Sequence, residues 1–268
     1  MEQNPYESPN ADLVTASGEL GRLVEPKHCP ASAGASWLGE GFSLFKNNVG
    51  MWLAITLVYG VIYFVFSMIP RVGYFWWILS VVFIGGWQFA AREADIGEGP
   101  EIEHLFAGFK KSLASLLVLG VLTAVGYLLA LIIAAVLALA VTGSAGMLNA
   151  GMFDAQQFDP STLLVLLPAM LAFFAIMLVL SVPIIMCQLF AAPLIVFHDV
   201  PVVEAMKMSF AACSRNLWSL TVWGLLSILI WLAGAFSLLL GLLVAFPVLT
   251  ISTYAAYKQI FLENELSA

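Results

Sequence analysis

Between Leu217 and Tyr257 the chain contains no Asp, Glu, Lys or Arg. As one helix this run would be about 60 Å long at 1.5 Å per residue, roughly twice the hydrocarbon thickness of a bilayer. It must fold back on itself, and the small residues from Gly234 to Ser237 mark the turn. Composition extends the argument to the whole chain. Hydrophobic residues make up 62% and charged residues 10%, against about a half and a quarter in a soluble domain, so no ordinary water-facing surface can be built. The class is an all-α membrane protein.

Spans of roughly 20 apolar residues are expected at about 51–69, 74–91, 112–141, 162–197, 217–235 and 238–257. The third and fourth are long enough to tilt or project beyond the lipid, and Pro183 and Pro193 are expected to kink the fourth. In a six-span arrangement Arg22, Lys27, Lys46, Arg92, Lys110, Lys111, Lys207, Arg215 and Lys258 fall on one side, and Arg71 alone on the other. Cations concentrate on cytoplasmic loops, so both termini are expected in the cytoplasm. The linker 142–161 carries Asp154 and Asp159 without a cation, as an outside loop does.

Residues 1–33 are rich in Pro, Ser, Asn, Glu and Gly. They carry too little apolar surface to offset the entropy of ordering, and they read as a flexible cytoplasmic tail with a docking motif conceivable at Tyr6. The opening Met1-Glu2-Gln3-Asn4-Pro5 has neither the basic nor the apolar region of a cleavable signal peptide. The membrane domain is expected over 34–262 and a short cytoplasmic end over 263–268.

Three short amphipathic segments each precede a pair of spans. Trp37, Leu38, Gly41, Phe42 and Phe45 share one helical face, as do Ile102, Leu105, Phe106 and Phe109, then Val202, Met206, Phe210 and Cys213. These read as interfacial helices. The order suggests three repeats, each an interfacial helix plus a hairpin, around an axis normal to the membrane.

The span interiors hold no ionisable group of the kind that coupled carriers use. Gln88 and Gln188 are the strongest polar residues there, and interhelical hydrogen bonding explains them most simply. Gly126, Ala130, Ala134, Ala138 and Thr142 form a small-residue ridge on the third span. Such a ridge lets a helix approach closely, either the fourth span or a second copy. His104 beside Glu101 and Glu103, and His198 beside Asp199, are the residual candidates for metal or acid–base chemistry, though neither follows a ligand spacing. Cys29, Cys187 and Cys213 follow no framework spacing either. No nucleophile–base pair or phosphate loop is present, so neither an enzyme nor a cofactor is expected. The net charge of −7, without a basic stripe, gives nucleic acid nothing to bind.

The stretches Ala192–Asp199, Glu204–Phe210 and Asn216–Trp218, the leader Asn4–Pro9 and the closing Tyr254–Phe261 together resemble a group of uncharacterised bacterial inner-membrane proteins. That group is similar in turn to the membrane domain attached to some glycerophosphodiester phosphodiesterases. The resemblance covers about residues 36–262 and implies a six-helix domain in the bacterial cytoplasmic membrane. It carries over no catalytic residue. Function is therefore expected to be non-enzymatic: an assembly, scaffold or envelope-maintenance factor with the bilayer and a membrane-protein partner or second copy as its contacts. The alternative is a channel or facilitator for a small neutral or lipid-like solute.

Overall fold

The computed structural model describes residues 21–70, 73–142, 160–237 and 241–263. The Tyr6 motif, Arg71 and the loop bearing Asp154 and Asp159 lie outside them. The described residues form ten α-helices: α1 (Ala33–Asn47), α2 (Val49–Met68), α3 (Trp76–Asp95), α4 (Ala107–Lys111), α5 (Leu113–Thr142), α6 (Pro160–Gln188), α7 (Ala191–His198), α8 (Val202–Arg215), α9 (Leu217–Phe236) and α10 (Leu242–Phe261). A 3₁₀ turn, Ile102–Phe106, leads into α4.

Among the described residues four stretches are long and apolar enough to cross a membrane: Val49–Met68, Leu113–Ala140, Leu167–His198 and Leu217–Phe236. Helices α3 and α10 have the same 20-residue length as α2 but carry more polar residues, and much of their surface is buried by their neighbours. A shielded helix tolerates groups that lipid would reject.

Each amphipathic segment passes into its long helix through a single non-helical residue. Asn48 has φ/ψ of −141°/45°, Ser112 −143°/34° and Asn216 −118°/28°. The carbonyl of each then accepts the first hydrogen bond of the next helix, from Trp52, Leu116 and Leu220 respectively. The apolar faces expected to lie on lipid are turned largely inward. Trp37, Leu38 and Phe45 of α1 are buried, although Phe42 is exposed. Leu105 is buried while Ile102 is exposed, and α8 buries Ala205, Ser209, Ala212 and Cys213 while Phe210 stays out. Helix α1 packs on α9 and α10, the 3₁₀ turn and α4 on α3, and α8 on α6 and α7.

Two of these crossings require glycine. A Cβ on Gly86 would stand 2.0 Å from the Leu105 carbonyl oxygen, and one on Gly34 would stand 2.2 Å from that of Ser219. No side chain fits either position without moving backbone.

The fourth apolar stretch differs from the single kinked helix expected over 162–197. It breaks at Leu189–Phe190, between α6 and α7. The cause is Ser209 of α8, whose hydroxyl donates to the Met186 carbonyl at 2.7 Å and accepts from the Phe190 N–H at 3.0 Å. The side chain has inserted itself into the hydrogen bond that a continuous helix would make between those two groups. Pro193 falls in the first turn of α7, where its missing N–H costs nothing. Pro183 stays inside α6.

The tail boundary also moves. Residues 21–32, expected within the flexible segment, run alongside the end of α10. Val24 N–H donates to the Phe261 carbonyl at 2.8 Å and Lys27 N–H to that of Ile260 at 2.9 Å. Asn216 anchors the segment from the other side, accepting from Cys29 N–H at 2.7 Å and donating to the Lys27 carbonyl at 2.9 Å.

Candidate functional site

Helices α3, α10 and α6–α7 converge near the end of the molecule that carries the amphipathic helices. Small residues let them meet: Ala90 and Ala91, Ala191 and Ala192, Ala255 and Ala256 are all buried there. Around and beyond these pairs sits a layer of buried aromatic rings. Phe197 lies 6.3 Å from Tyr254 and 5.8 Å from Tyr257, and Phe190 lies 5.7 Å from Phe261. This layer closes the centre of the bundle at that end.

On the other side of the seal the same helices diverge around a cavity of about 1290 Å³, larger than the ~300–1,000 Å³ of ordinary small-molecule sites. Its aromatic wall includes Tyr59, Trp76, Trp87, Trp223, Trp231 and Phe246. Among the described residues no charged side chain and no histidine lines it. The polar lining is neutral: Ser80, Gln88, Gln188, Ser227, Thr250 and Thr253.

Gln88 and Gln188, which the sequence marks as interhelical hydrogen-bonders, both face this cavity. Gln88 Nε2 donates to Thr253 Oγ1 at 2.9 Å and lies 3.4 Å from the Thr250 carbonyl, tying α3 to α10. Gln188 meets the Tyr127 hydroxyl of α5. Trp87, immediately before Gln88, stacks on Trp52 with ring centroids 5.9 Å apart. Its edge meets Phe246 at 5.3 Å.

The wall is not packed equally all round. Helix α3 packs along α5, and α10 along α2, but among the described residues α6 and α9 share no such seam. Ile185, Gln188 and Leu189 of α6 and Trp223, Ser227 and Trp231 of α9 instead all line the cavity. The α9 residues recur every fourth position, which places them on one helical face. That stripe is visible in the sequence, but nothing in the sequence says that Trp223 within it donates to Ser252 of α10 at 2.8 Å or that α6 stays apart from it.

The other candidate residues have structural surroundings. Gly126 faces Ile184 of α6, and Ala130, Ala134 and Ala138 on the same face are buried. His104 Nδ1 accepts the Glu101 N–H at 3.0 Å, completing a capping box, and its ring stands edge-on to Phe89 at 5.3 Å. His198 ends α7. Among the described residues no group of three His, Cys, Asp or Glu side chains is placed to hold a metal ion.

Charge gathers at the sealed end. Lys258 of α10 pairs with Glu40 of α1 at 2.5 Å and with Asp95 of α3 at 2.8 Å, and Tyr254 donates to Asp95 at 3.2 Å. Lys111 sits 4.0 Å above the Phe89 ring, where burial and the nearby Arg92 charge push its pKa down. Lys110 pairs with Glu103 and holds that carboxyl below its ordinary range.

A probable inner membrane protein of Burkholderia thailandensis is 30% identical to this chain over 226 residues, which cover 84% of the chain and 82% of the relative. The chain belongs to this family of bacterial inner-membrane proteins. With its apolar helices, this likeness makes the protein a multi-pass membrane protein. No family model and no solved structure matches the chain.

Proposed function

We propose that this inner-membrane protein binds a neutral, lipid-like solute in its central cavity and facilitates its movement. One observation carries the reading. The cavity is walled by aromatic rings and uncharged hydrogen-bonding groups and, among the described residues, is lined by no Asp, Glu, Lys, Arg or His. An ion or a charged metabolite would lose its hydration there without compensation, whereas an uncharged amphiphile would not. The unpacked edge between α6 and α9 gives such a molecule a way in from the bilayer.

The scaffold reading has less support. The amphipathic helices that would meet a partner spend most of their apolar faces on the neighbouring hairpins. The resemblance to the membrane domain of certain phosphodiesterases brings no chemistry, because the residues of that reaction belong to a separate domain.

The facilitator reading includes a topology: six spans, with α3 and α10 as the second and sixth, and both chain ends cytoplasmic. Twenty helical residues reach about 30 Å, enough for the hydrocarbon core. It also includes a three-fold repeat of amphipathic helix plus hairpin. In support, the three helix breaks share one backbone geometry, and each amphipathic segment packs on the preceding hairpin in cyclic order. The inner helices share a local pattern as well: Gln88-Phe89-Ala90-Ala91, Thr253-Tyr254-Ala255-Ala256 and Gln188-Leu189-Phe190-Ala191-Ala192. The third has one extra residue, and it is the one whose helix Ser209 interrupts.

The test is flux of uncharged amphiphilic solutes into liposomes containing the purified protein, with Ser80→Trp as a cavity-filled control. The expected result is flux above protein-free liposomes that falls about ten-fold in the variant. Absence of flux for every solute, together with a stoichiometric protein partner captured from native membranes, would return the scaffold reading to first place.

A further inference from the structure

The middle hairpin, α5–α6, is attached to the rest of the molecule differently from the other two. The inner helix of the first hairpin, α3, runs unbroken from Trp76 to Asp95 and carries Ala90 and Ala91 through the seal. The inner helix of the third, α10, runs unbroken from Leu242 to Phe261 and carries Ala255 and Ala256 through it. Gln88 and Thr253 tie these two together. Helix α6 stops short: Gln188 is its last residue, and the seal pair Ala191 and Ala192 belongs to α7. Helix α5 is likewise cut from α4 at Ser112. Both legs of this hairpin therefore end in a break on the seal side. Among the described residues the other hairpins are broken in one leg only, at Asn48 and at Asn216.

The hairpin is held mostly by itself. Gly126 of α5 faces Ile184 of α6, and Gln188 meets Tyr127, so the two helices form one unit. From Met170 to Gln188 no residue of α6 is buried. Its ties to other helices lie near the breaks: Gly120 rests against Ile78 of α3, and Ser209 and Cys213 of α8 reach the Met186 carbonyl. Ser209 also satisfies the Phe190 N–H, so the break in α6 can persist in lipid without an unpaired backbone group.

We infer that α5–α6 is a lateral gate, which tilts about the line through Ser112 and Leu189–Phe190 to open or shut the cavity toward the lipid. This rests on the cavity reading above and adds how the cavity is entered. Rigid elements joined through breaks at one end are the ordinary form of a hinge, and turning about this one stretches neither helix. The structure holds the open position. For the closed one, α6 runs toward the seal and α9 away from it. Matching the seal-side ends of their cavity-lining rows, Leu189 and Trp223, sets Ile185 opposite Ser227 and Ser181 opposite Trp231. Ser227 is the small residue between two tryptophans, a notch that Ile185 fills, and close packing of this kind is what joins helices in a membrane.

The experiment uses the full-length chain carrying Cys187→Ala, Ile185→Cys and Ser227→Cys in lipid nanodiscs. Copper phenanthroline in air oxidises the new pair. The probe, a dioleoylglycerol analogue with a mid-chain diazirine, is added afterwards, and adducts are mapped by peptide mass spectrometry. The pair is expected to form a disulfide, and the cross-linked protein to show about ten-fold less labelling of the cavity residues Phe246 and Leu249, as the competent fraction falls. Dithiothreitol is expected to restore it. Ser181→Cys with Trp231→Cys repeats the measurement one turn away, and the circular dichroism spectrum of each variant checks its fold. No disulfide from either folded pair, or equal cavity labelling before and after cross-linking, would overturn the gate and leave the cavity reading intact. No cavity labelling even in the reduced protein would overturn both.

Discussion

Asn216 shows how much one side chain does at the cationic end. It ends α8, starts α9 and holds the residue 27–29 backbone through its amide. Replacing it with Ala leaves a buried N–H unpaired, and the expected cost is about 1–3 kcal/mol, read as a lower melting temperature in detergent. Cysteine chemistry is a second residue-scale consequence. Burial raises the Cys29 thiol, with Lys27 opposing, and pushes Cys213 up to about 12. The thiolate reacts, not the thiol, so a raised pKa means little reaction near neutral pH. Maleimide is expected to leave both residues unmodified in the folded protein and to modify them after denaturation; rapid labelling of either in the folded state contradicts this. Gln88 behaves differently. Polar bonds within membranes average only about 0.6 kcal/mol, so Gln88→Leu is expected to lower the melting temperature far less.

At the scale of elements, the break between α6 and α7 depends on one hydroxyl. Ser209→Ala removes the bridge between Met186 and Phe190, and the expected result is a loss of about 1–3 kcal/mol, measured by thermal unfolding; an unchanged melting temperature would mean the helix closes its own ladder at no cost. Gly86→Val is expected to do more harm, because the Leu105 carbonyl occupies the space that its side chain needs. What the sequence displayed at this scale was periodicity and charge. The paired apolar stretches, the turn near Gly234 and the three amphipathic segments all follow from spacing that residues carry on their own. What it hid were contacts between distant residues. Pro193 was the visible helix breaker, while the true one, Ser209, lies on another helix and has no local signature. The amphipathic faces looked like lipid-facing surfaces because sequence distinguishes apolar from polar, not lipid from protein. Gln88 was legible as a polar residue in a span, but its partners Thr250 and Thr253 lie more than 160 residues away.

For the whole molecule, the cationic end and the sealed end coincide. Lys258 joins α10 to α1 and α3 there, and the aromatic layer lies beneath. A solute in the cavity can reach that side only if this layer opens, so loss of the ion cluster should loosen it: Lys258→Met is expected to raise flux or leak severalfold in liposomes, with unchanged flux counting against a gate at this position. The proposed topology, with cations on the inner side, makes that end cytoplasmic. A C-terminal green fluorescent protein fusion is accordingly expected to fluoresce and an alkaline phosphatase fusion to be inactive, and the reverse pair would invert the topology. The central claim is that the cavity holds a neutral amphiphile. Its most direct test is native mass spectrometry of the protein released from its own membranes, wild type against Ser80→Trp. The claim predicts a bound uncharged small molecule on the wild-type protein that is lost from the variant with the fold intact. A wild-type protein with no such molecule, or one retained equally by the filled variant, would contradict it.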